Sequence, residues 1–141
     1  MTRDEMVAFF ARRQEALTRL DAGMLASLHA EDGVLESPLA GGVAEGREAI
    51  EQVYRTFFTS FSTATIEQEQ LVIDGEKAAL LLHIHGINNG GIMGLPPTDR
   101  TFSLMLVSLC ELKDGFITRE RRVYDFTGLL LQVGALKAKP I

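Results

Sequence analysis

The stretch Phe116-Ile-Thr-Arg-Glu-Arg-Arg-Val-Tyr-Asp-Phe-Thr-Gly-Leu-Leu-Leu-Gln-Val-Gly134 decides how this chain is read. It follows Lys113-Asp114-Gly115, an Asp-Gly turn that folds one strand back on the next. Alternation with period two places Ile117, Arg119, Arg121, Val123 and Asp125 on one face of a strand running from Phe116 to Thr127. Glu120, Arg122, Tyr124 and Phe126 point the other way. The stretch closes with the apolar run Leu129-Leu-Leu-Gln132, stopped by Gly134. A carboxylate at a strand end, framed by Tyr124 and Phe126 beside an apolar plug, is accounted for if Asp125 lines a pocket.

Working back from this stretch, Arg100 to Leu112 predicts the strand that precedes it. Ala78 to Ile87, nearly continuous in Leu, Ile and Ala, predicts a strand covered on both faces. Ala64 to Ile73 is joined to that strand by the turn signal Asp74-Gly75. The segment from Asn88 to Pro97, rich in glycine and proline, is either a lid over a pocket mouth or a bulged edge that curves the sheet.

The N-terminal half is helical. Thr2 and Glu5 fit a capping box, and Met6, Phe9, Phe10, Leu17 and Leu20 form the stripe that follows. Gly23 breaks it, and Met24, Leu25 and Leu28 mark a short second helix. Val34 to Pro38 reads as a short strand and Leu39 to Gly42 as a loop. Ile50, Val53, Tyr54, Phe57, Phe58 and Phe61 then give the strongest amphipathic spacing in the chain. The spacing predicts a core face packed on a sheet; the sharper alternative is that its inner residues, Tyr54 and Phe58 above all, also wall a ligand pocket. Helices followed by a meander of strands predict an α+β fold in one domain, residues 1–141, with no internal repeat or linker.

Composition narrows the partners. With 141 residues, 46% apolar and 23% charged, the chain can bury a normal globular core. A net charge of −5 argues against nucleic acid or an anionic membrane, which require a positive field. Arg12-Arg13 and Arg119 to Arg122 are interrupted by Glu15 and Glu120, so they read as solvated faces. The single Cys110 lies in an apolar strand and is expected to be a buried, inert thiol. No apolar run reaches membrane-span length and the N-terminus carries no signal-peptide pattern, so the expected location is the cytoplasm.

The order of elements resembles a known family, together with Glu36-Ser-Pro-Leu, Val43-Ala-Glu-Gly-Arg-Glu-Ala-Ile50, Gly94-Leu-Pro-Pro-Thr98, Tyr124-Asp125 and Leu130-Leu-Gln-Val-Gly134. This is the SnoaL-like polyketide cyclases, of the larger fold group typified by nuclear transport factor 2, ketosteroid isomerase and scytalone dehydratase. The resemblance spans essentially the whole chain. It implies a curved, mainly antiparallel sheet wrapped into a cone and capped by three helices, with an apolar pocket inside and a homodimer across the sheet. It also implies that Asp125 is the general acid/base of an intramolecular aldol ring closure, without metal or cofactor. In a dry cone, loss of solvation would bring such a carboxylate nearer the working range of a proton shuttle. Pairing with Arg121, on the same nominal face, would instead make Asp125 structural.

The departures narrow the chemistry. The proton-moving aspartate of ketosteroid isomerases is replaced by Ser37, their second carboxylic acid falls on or near Ser108, and the first helix has no tyrosine. Many SnoaL-like chains have histidine where Asn88 stands, and the strand with Cys110 and Glu111 lacks their assisting histidine. His83 and His85 share a strand face. With Asp125 they could form a two-His-one-carboxylate metal triad, but His85 is favoured as a pocket residue that hydrogen-bonds a substrate carbonyl. Glu36, Asn88, Arg121 and Met105 complete the expected substrate-binding set with Tyr54 and Phe58, although Met105, like Met93, also suits a gap-filling role. His29 carries no assignment. Two functions follow. One is a cofactor-free acid–base enzyme acting on a small hydrophobic carbonyl compound by aldol cyclisation, isomerisation or attack of water on an epoxide. The other is a non-catalytic hydrophobic-ligand or dimerisation module.

Overall fold

The computed structural model describes residues 1–138, so the last three positions of the expected domain lie outside the described residues. Helices α1 (Arg3–Thr18) and α2 (Ala22–Ser27) come first, followed by strand β1 (His29–Ser37). A 3-10 turn over Pro38–Ala40 leads to β2 (Gly42–Glu45) and then α3 (Arg47–Ser60). Strands β3 (Thr65–Asp74), β4 (Lys77–Ile87), β5 (Thr101–Lys113) and β6 (Phe116–Tyr124) form a meander, and α4 (Phe126–Gln132) is the last element among the described residues.

Local chemistry explains most boundaries. Thr2 and Glu5 make the expected reciprocal capping box. Asp114 and Gly115 both take positive φ, 53° and 83°, as a tight hairpin between twisted strands requires. The sheet order is β2-β1-β6-β5-β4-β3. All pairings are antiparallel except β1 with β6, which run parallel. The sheet therefore stays open, with β2 and β3 at its edges, and the α+β expectation holds.

The structure departs from the sequence reading at several points, and strand β1 begins at His29 instead of Val34. The segment before α3 contains a short strand, β2. The last strand stops at Tyr124, and the run that follows is a helix, α4. Where β6 ends, α4 takes over its role: Gln132 accepts from the Ser103 backbone N–H at 2.6 Å and donates to its carbonyl at 3.0 Å.

The inner face of the sheet packs on the helices. Met6, Phe9 and Phe10 of α1 and Phe57 of α3 meet Leu80, Leu82 and Ile84 of β4 and Leu104, Leu106 and Leu112 of β5. A second cluster joins Ala16, Leu17, Leu25, Leu35, Ile50, Val53 and Tyr54, and half-buried Phe58 packs against both. Each fully buried large side chain contributes about 1.5–3 kcal/mol. The glycine- and proline-rich segment between β4 and β5 is organised by buried Asn88. Its carbonyl accepts from Thr98 and Asp99 N–H at 3.1 and 2.9 Å, and its amide donates to Pro96 O at 3.0 Å.

Candidate functional site

The inner layer contains a charged cluster. Between Glu111↔Arg119 and Leu112↔Ile117 the β5–β6 register shifts by one residue at Thr118. This bulge breaks the strict alternation expected for β6: Ile117 now shares a face with Glu120, Arg122 and Tyr124, while Arg119, Arg121 and Val123 face out. Glu120 stands opposite Cys110 and Arg122 opposite Ser108, both on the core face of β5. The solvated-face reading is thus corrected for Arg122, and also for Arg13, which lies on the buried stripe of α1 between Phe10 and Leu17.

Glu120 is fully buried and its carboxylate accepts from every side. One oxygen receives Arg122 Nε at 2.6 Å, Ser108 Oγ at 2.9 Å and Arg13 Nη2 at 3.1 Å. The other receives the Tyr54 hydroxyl at 3.1 Å and lies 3.4 Å from His29 Nε2. Because Tyr54 donates to Glu120, its oxygen accepts from His29 Nε2–H at 3.2 Å, which leaves His29 Nδ1 as an unpaired acceptor. Burial pushes the Glu120 carboxyl up, but the charges of Arg122 and Arg13 outweigh it and hold the group well below the carboxylate range. Burial pulls His29 down to about 4, so it is neutral at physiological pH. Burial also lifts Tyr54 to about 12 and the Cys110 thiol to about 12. A carboxylate locked between two guanidiniums is an organising anion, not a proton shuttle.

Asp125 occupies a different position. It ends β6, its N–H continuing the ladder to Met105 O at 3.0 Å, and it caps α4 by accepting from Gly128 N–H at 2.9 Å through Oδ1. The side chain is exposed and is not enclosed in an apolar cone, which corrects the expected surroundings. Nor does it pair with Arg121. Its flanking rings Tyr124 and Phe126 stack at 4.7 Å and pack against the core.

The expected site residues do not converge. Tyr54 and Phe58 lie between helices and sheet as read. Asn88 is spent on its own loop, although its Oδ1 is buried without a partner. Glu36 is held on the outer face by Arg119 at 2.6 Å and Arg121 at 2.9 Å, and these hydrogen bonds, Arg119 first, lower its pKa. Met105 is exposed on the outer face of β5. His85 lies on the outer face of β4, 3.3 Å from Glu67, and neighbouring His83 bonds Glu69 and Ser103. Among the described residues no group of three or more His, Cys, Asp or Glu side chains is placed to hold a metal ion. The overlooked residues are Arg13, His29, Ser108, Glu120, Arg122 and Tyr124. Arg13 had a legible signal, its place on the apolar stripe, and so did Asp125 as a cap, with Gly128 and an apolar run after it.

The fold is of the ketosteroid isomerase-like class. A protein described with that fold from Catenulispora acidiphila DSM 44928 aligns with 99% of this chain and 100% of its own, at TM-score 0.69 and 21% identity, a likeness of fold alone. Wild-type IdmH from Streptomyces antibioticus aligns with 91% of this chain and 97% of its own, at TM-score 0.76 and 25% identity. At the level of sequence, the model of the SnoaL-like polyketide cyclase family matches residues 8–133. Nogalonic acid methyl ester cyclase from Streptomyces nogalater is 34% identical over 97 residues, 68% of this chain and 72% of that protein. The chain belongs to the SnoaL-like polyketide cyclases, a family of enzymes. No helix among the described residues is long and apolar enough to cross a membrane.

Proposed function

We propose that this protein closes a ring in a small, hydrophobic, polyketide-like carbonyl compound by an intramolecular aldol reaction, using acid–base chemistry and no resident cofactor. Asp125 is the proton carrier. The observation that supports this role is the state of its carboxylate: Oδ1 is fixed by the first turn of α4, while Oδ2 accepts no hydrogen bond among the described residues. One oxygen is thereby oriented and the other is available, beside a stacked pair of rings that suits a flat, apolar guest.

In this scheme Oδ2 removes a proton from the carbon next to a carbonyl, giving an enolate. The enolate carbon attacks a second carbonyl of the same molecule, the new C–C bond forms, and the resulting alkoxide takes the proton back from Asp125. Holding the chain folded supplies most of the acceleration, since oriented intramolecular reactions gain effective molarities of about 10⁵ M or more. A second copy of the chain covers the outer face of the sheet, where Val72, Met105, Leu109 and Val123 are exposed.

The named relative suggests the first compound to offer, nogalonic acid methyl ester. Asparagine caps helices as well as aspartate does, so Asp125→Asn is expected to keep its melting temperature and lose ring closure by at least about a hundredfold, followed by chromatography. Wild-type turnover in that variant would remove Asp125 from the chemistry.

A further inference from the structure

The charged side chains buried among the described residues are Arg13, Arg122 and Glu120. His29, the other titratable base in the cluster, is neutral at physiological pH. Two cations facing one anion leave the interior with an uncompensated positive charge. Buried donors also go unused: Arg13 Nε and Nη1 and Arg122 Nη1 have no partner, nor does the Tyr124 hydroxyl. Native interiors rarely leave such groups unpaired without water or a ligand to meet them.

Two of these groups belong together. Arg122 and Tyr124 are next-but-one neighbours on the inner face of β6. Phe57 flanks both: its ring centre lies 5.5 Å from the Arg122 guanidinium carbon and 6.4 Å from the Tyr124 ring. The guanidinium also lies over Tyr54, 4.6 Å from its centre, and Tyr124 stacks on Phe126. The guanidinium and the hydroxyl thus belong to one aromatic cluster, Tyr54 and Phe57 around Arg122, and Phe57 and Phe126 around Tyr124. Arg122 Nε is already committed to Glu120, which fixes the plane of the guanidinium. Preorganised donors in a dry, aromatic setting are the usual means of stabilising oxygen charge that develops during a reaction.

We propose that Arg122 Nη1 and the Tyr124 hydroxyl form an oxyanion site, which receives the enolate oxygen of the guest and makes the protein prefer ionisable enols over their neutral ethers. This deepens the cyclase proposal and rests on it for the presence of a guest. Half-buried Phe58, whose ring lies 6.4 Å from Tyr54 and 5.7 Å from Phe57, is the side chain whose movement would open this cluster to a ring. Glu120 is a positioning residue, since its bond to Arg122 Nε orients the guanidinium, and Arg13 acts through its own bond to Glu120.

The test uses two flat probes of nearly equal size, 2-hydroxy-1,4-naphthoquinone, whose enol ionises readily, and its 2-methoxy ether. Isothermal titration of the wild type is expected to show at least about tenfold tighter binding of the hydroxy compound, the range of a hydrogen bond to a charged group. Tyr124→Phe deletes a hydroxyl with no partner in the resting protein, so it folds normally. It should weaken the hydroxy probe by about tenfold and leave the ether unchanged. Arg122→Gln, checked for folding by circular dichroism, should abolish the preference. Equal binding of both probes by the wild type, or an unchanged preference in Tyr124→Phe, overturns the oxyanion site while leaving the pocket in place. Failure of both probes to bind at all overturns the pocket and this inference with it.

Discussion

Removing the charge of Glu120 leaves two guanidiniums buried without a counter-ion, a situation that costs more than the pair itself contributes. Glu120→Gln is expected to destabilise the protein by about 3–5 kcal/mol, seen as a lower urea midpoint with little change in slope. The same cluster sets the acid response. His29 is held near 4 against an ordinary value of 6.5, so between those pH values the unfolded chain binds the extra proton. Its contribution is whole above pH 6.5 and is lost as the pH falls to about 4. At about 1.4 kcal/mol per unit, the loss is on the order of 3 kcal/mol. Glu120 acts lower: its folded value lies below the ordinary 4.5, so its contribution is complete above that pH and drains away beneath it. His29→Gln keeps a hydrogen-bonding group but cannot titrate. As the pH is lowered from 6.5 to 4, urea midpoints should fall steeply for the wild type and stay nearly flat for this variant; parallel curves would show that His29 is not the titrating group.

At the scale of the element, α4 is what joins fold to chemistry in the proposed reaction, because Asp125 caps it. A β-carbon at Gly128 would come within 2.2 Å of Asp125 Oδ2 and 3.0 Å of Oδ1, so only glycine lets the aspartate close over the helix end. Inside a helix Ala normally gains about 1 kcal/mol over Gly, and loss of an N-cap costs about as much. Gly128→Ala should therefore change stability by less than about 1 kcal/mol yet turn Asp125 aside and lower turnover at least about tenfold. Unaltered turnover would mean that the cap does not orient the reacting oxygen. The sequence made much of this architecture legible. Asp74-Gly75 and Asp114-Gly115 fall at strand turns, and the stripe from Ile50 to Phe61 lies on the core as its spacing requires. What it hid was long-range. The bulge at Thr118 depends on the register β6 finds against β5, and no local signal marks it. Arg122 looked solvated because its partner Glu120 becomes a buried acceptor only when Arg13, Tyr54 and Ser108 arrive from other elements.

For the whole molecule, the unexplained surface is the outer face of the sheet. Register aligns Arg121, Leu109, Ala79 and Val72 in one row across β6, β5, β4 and β3, with Val123, Val107 and Leu81 in the next. Leu109, Val72 and Val123 are 45%, 52% and 63% exposed, so the middle of the sheet is apolar and bare. Charges border it: Asp74, Lys77, Glu111, Arg119 and Arg121 rim a groove of about 290 Å³ there. A mixed-charge border around an apolar centre suits a second copy of the same face, since each cation can meet an anion across a two-fold axis. The wild type is expected to sediment as a dimer at micromolar concentration. Leu109→Glu would place an unpaired charge at the centre of that contact, which should raise the dimer dissociation constant by at least about thirtyfold. Because Leu109 is exposed in the monomer, its substitution should leave the circular dichroism of the fold unchanged. A wild type that sediments as a monomer at tens of micromolar, or a Leu109→Glu variant that stays dimeric, would assign the bare face to something other than self-association. The position of Arg119 and Arg121 gives this contact a link to the interior, because they alternate along β6 with Glu120 and Arg122. A dimer that stiffens β6 from outside would also fix the strand carrying the proposed oxyanion donors, so Leu109→Glu should weaken binding of an ionised guest along with the dimer.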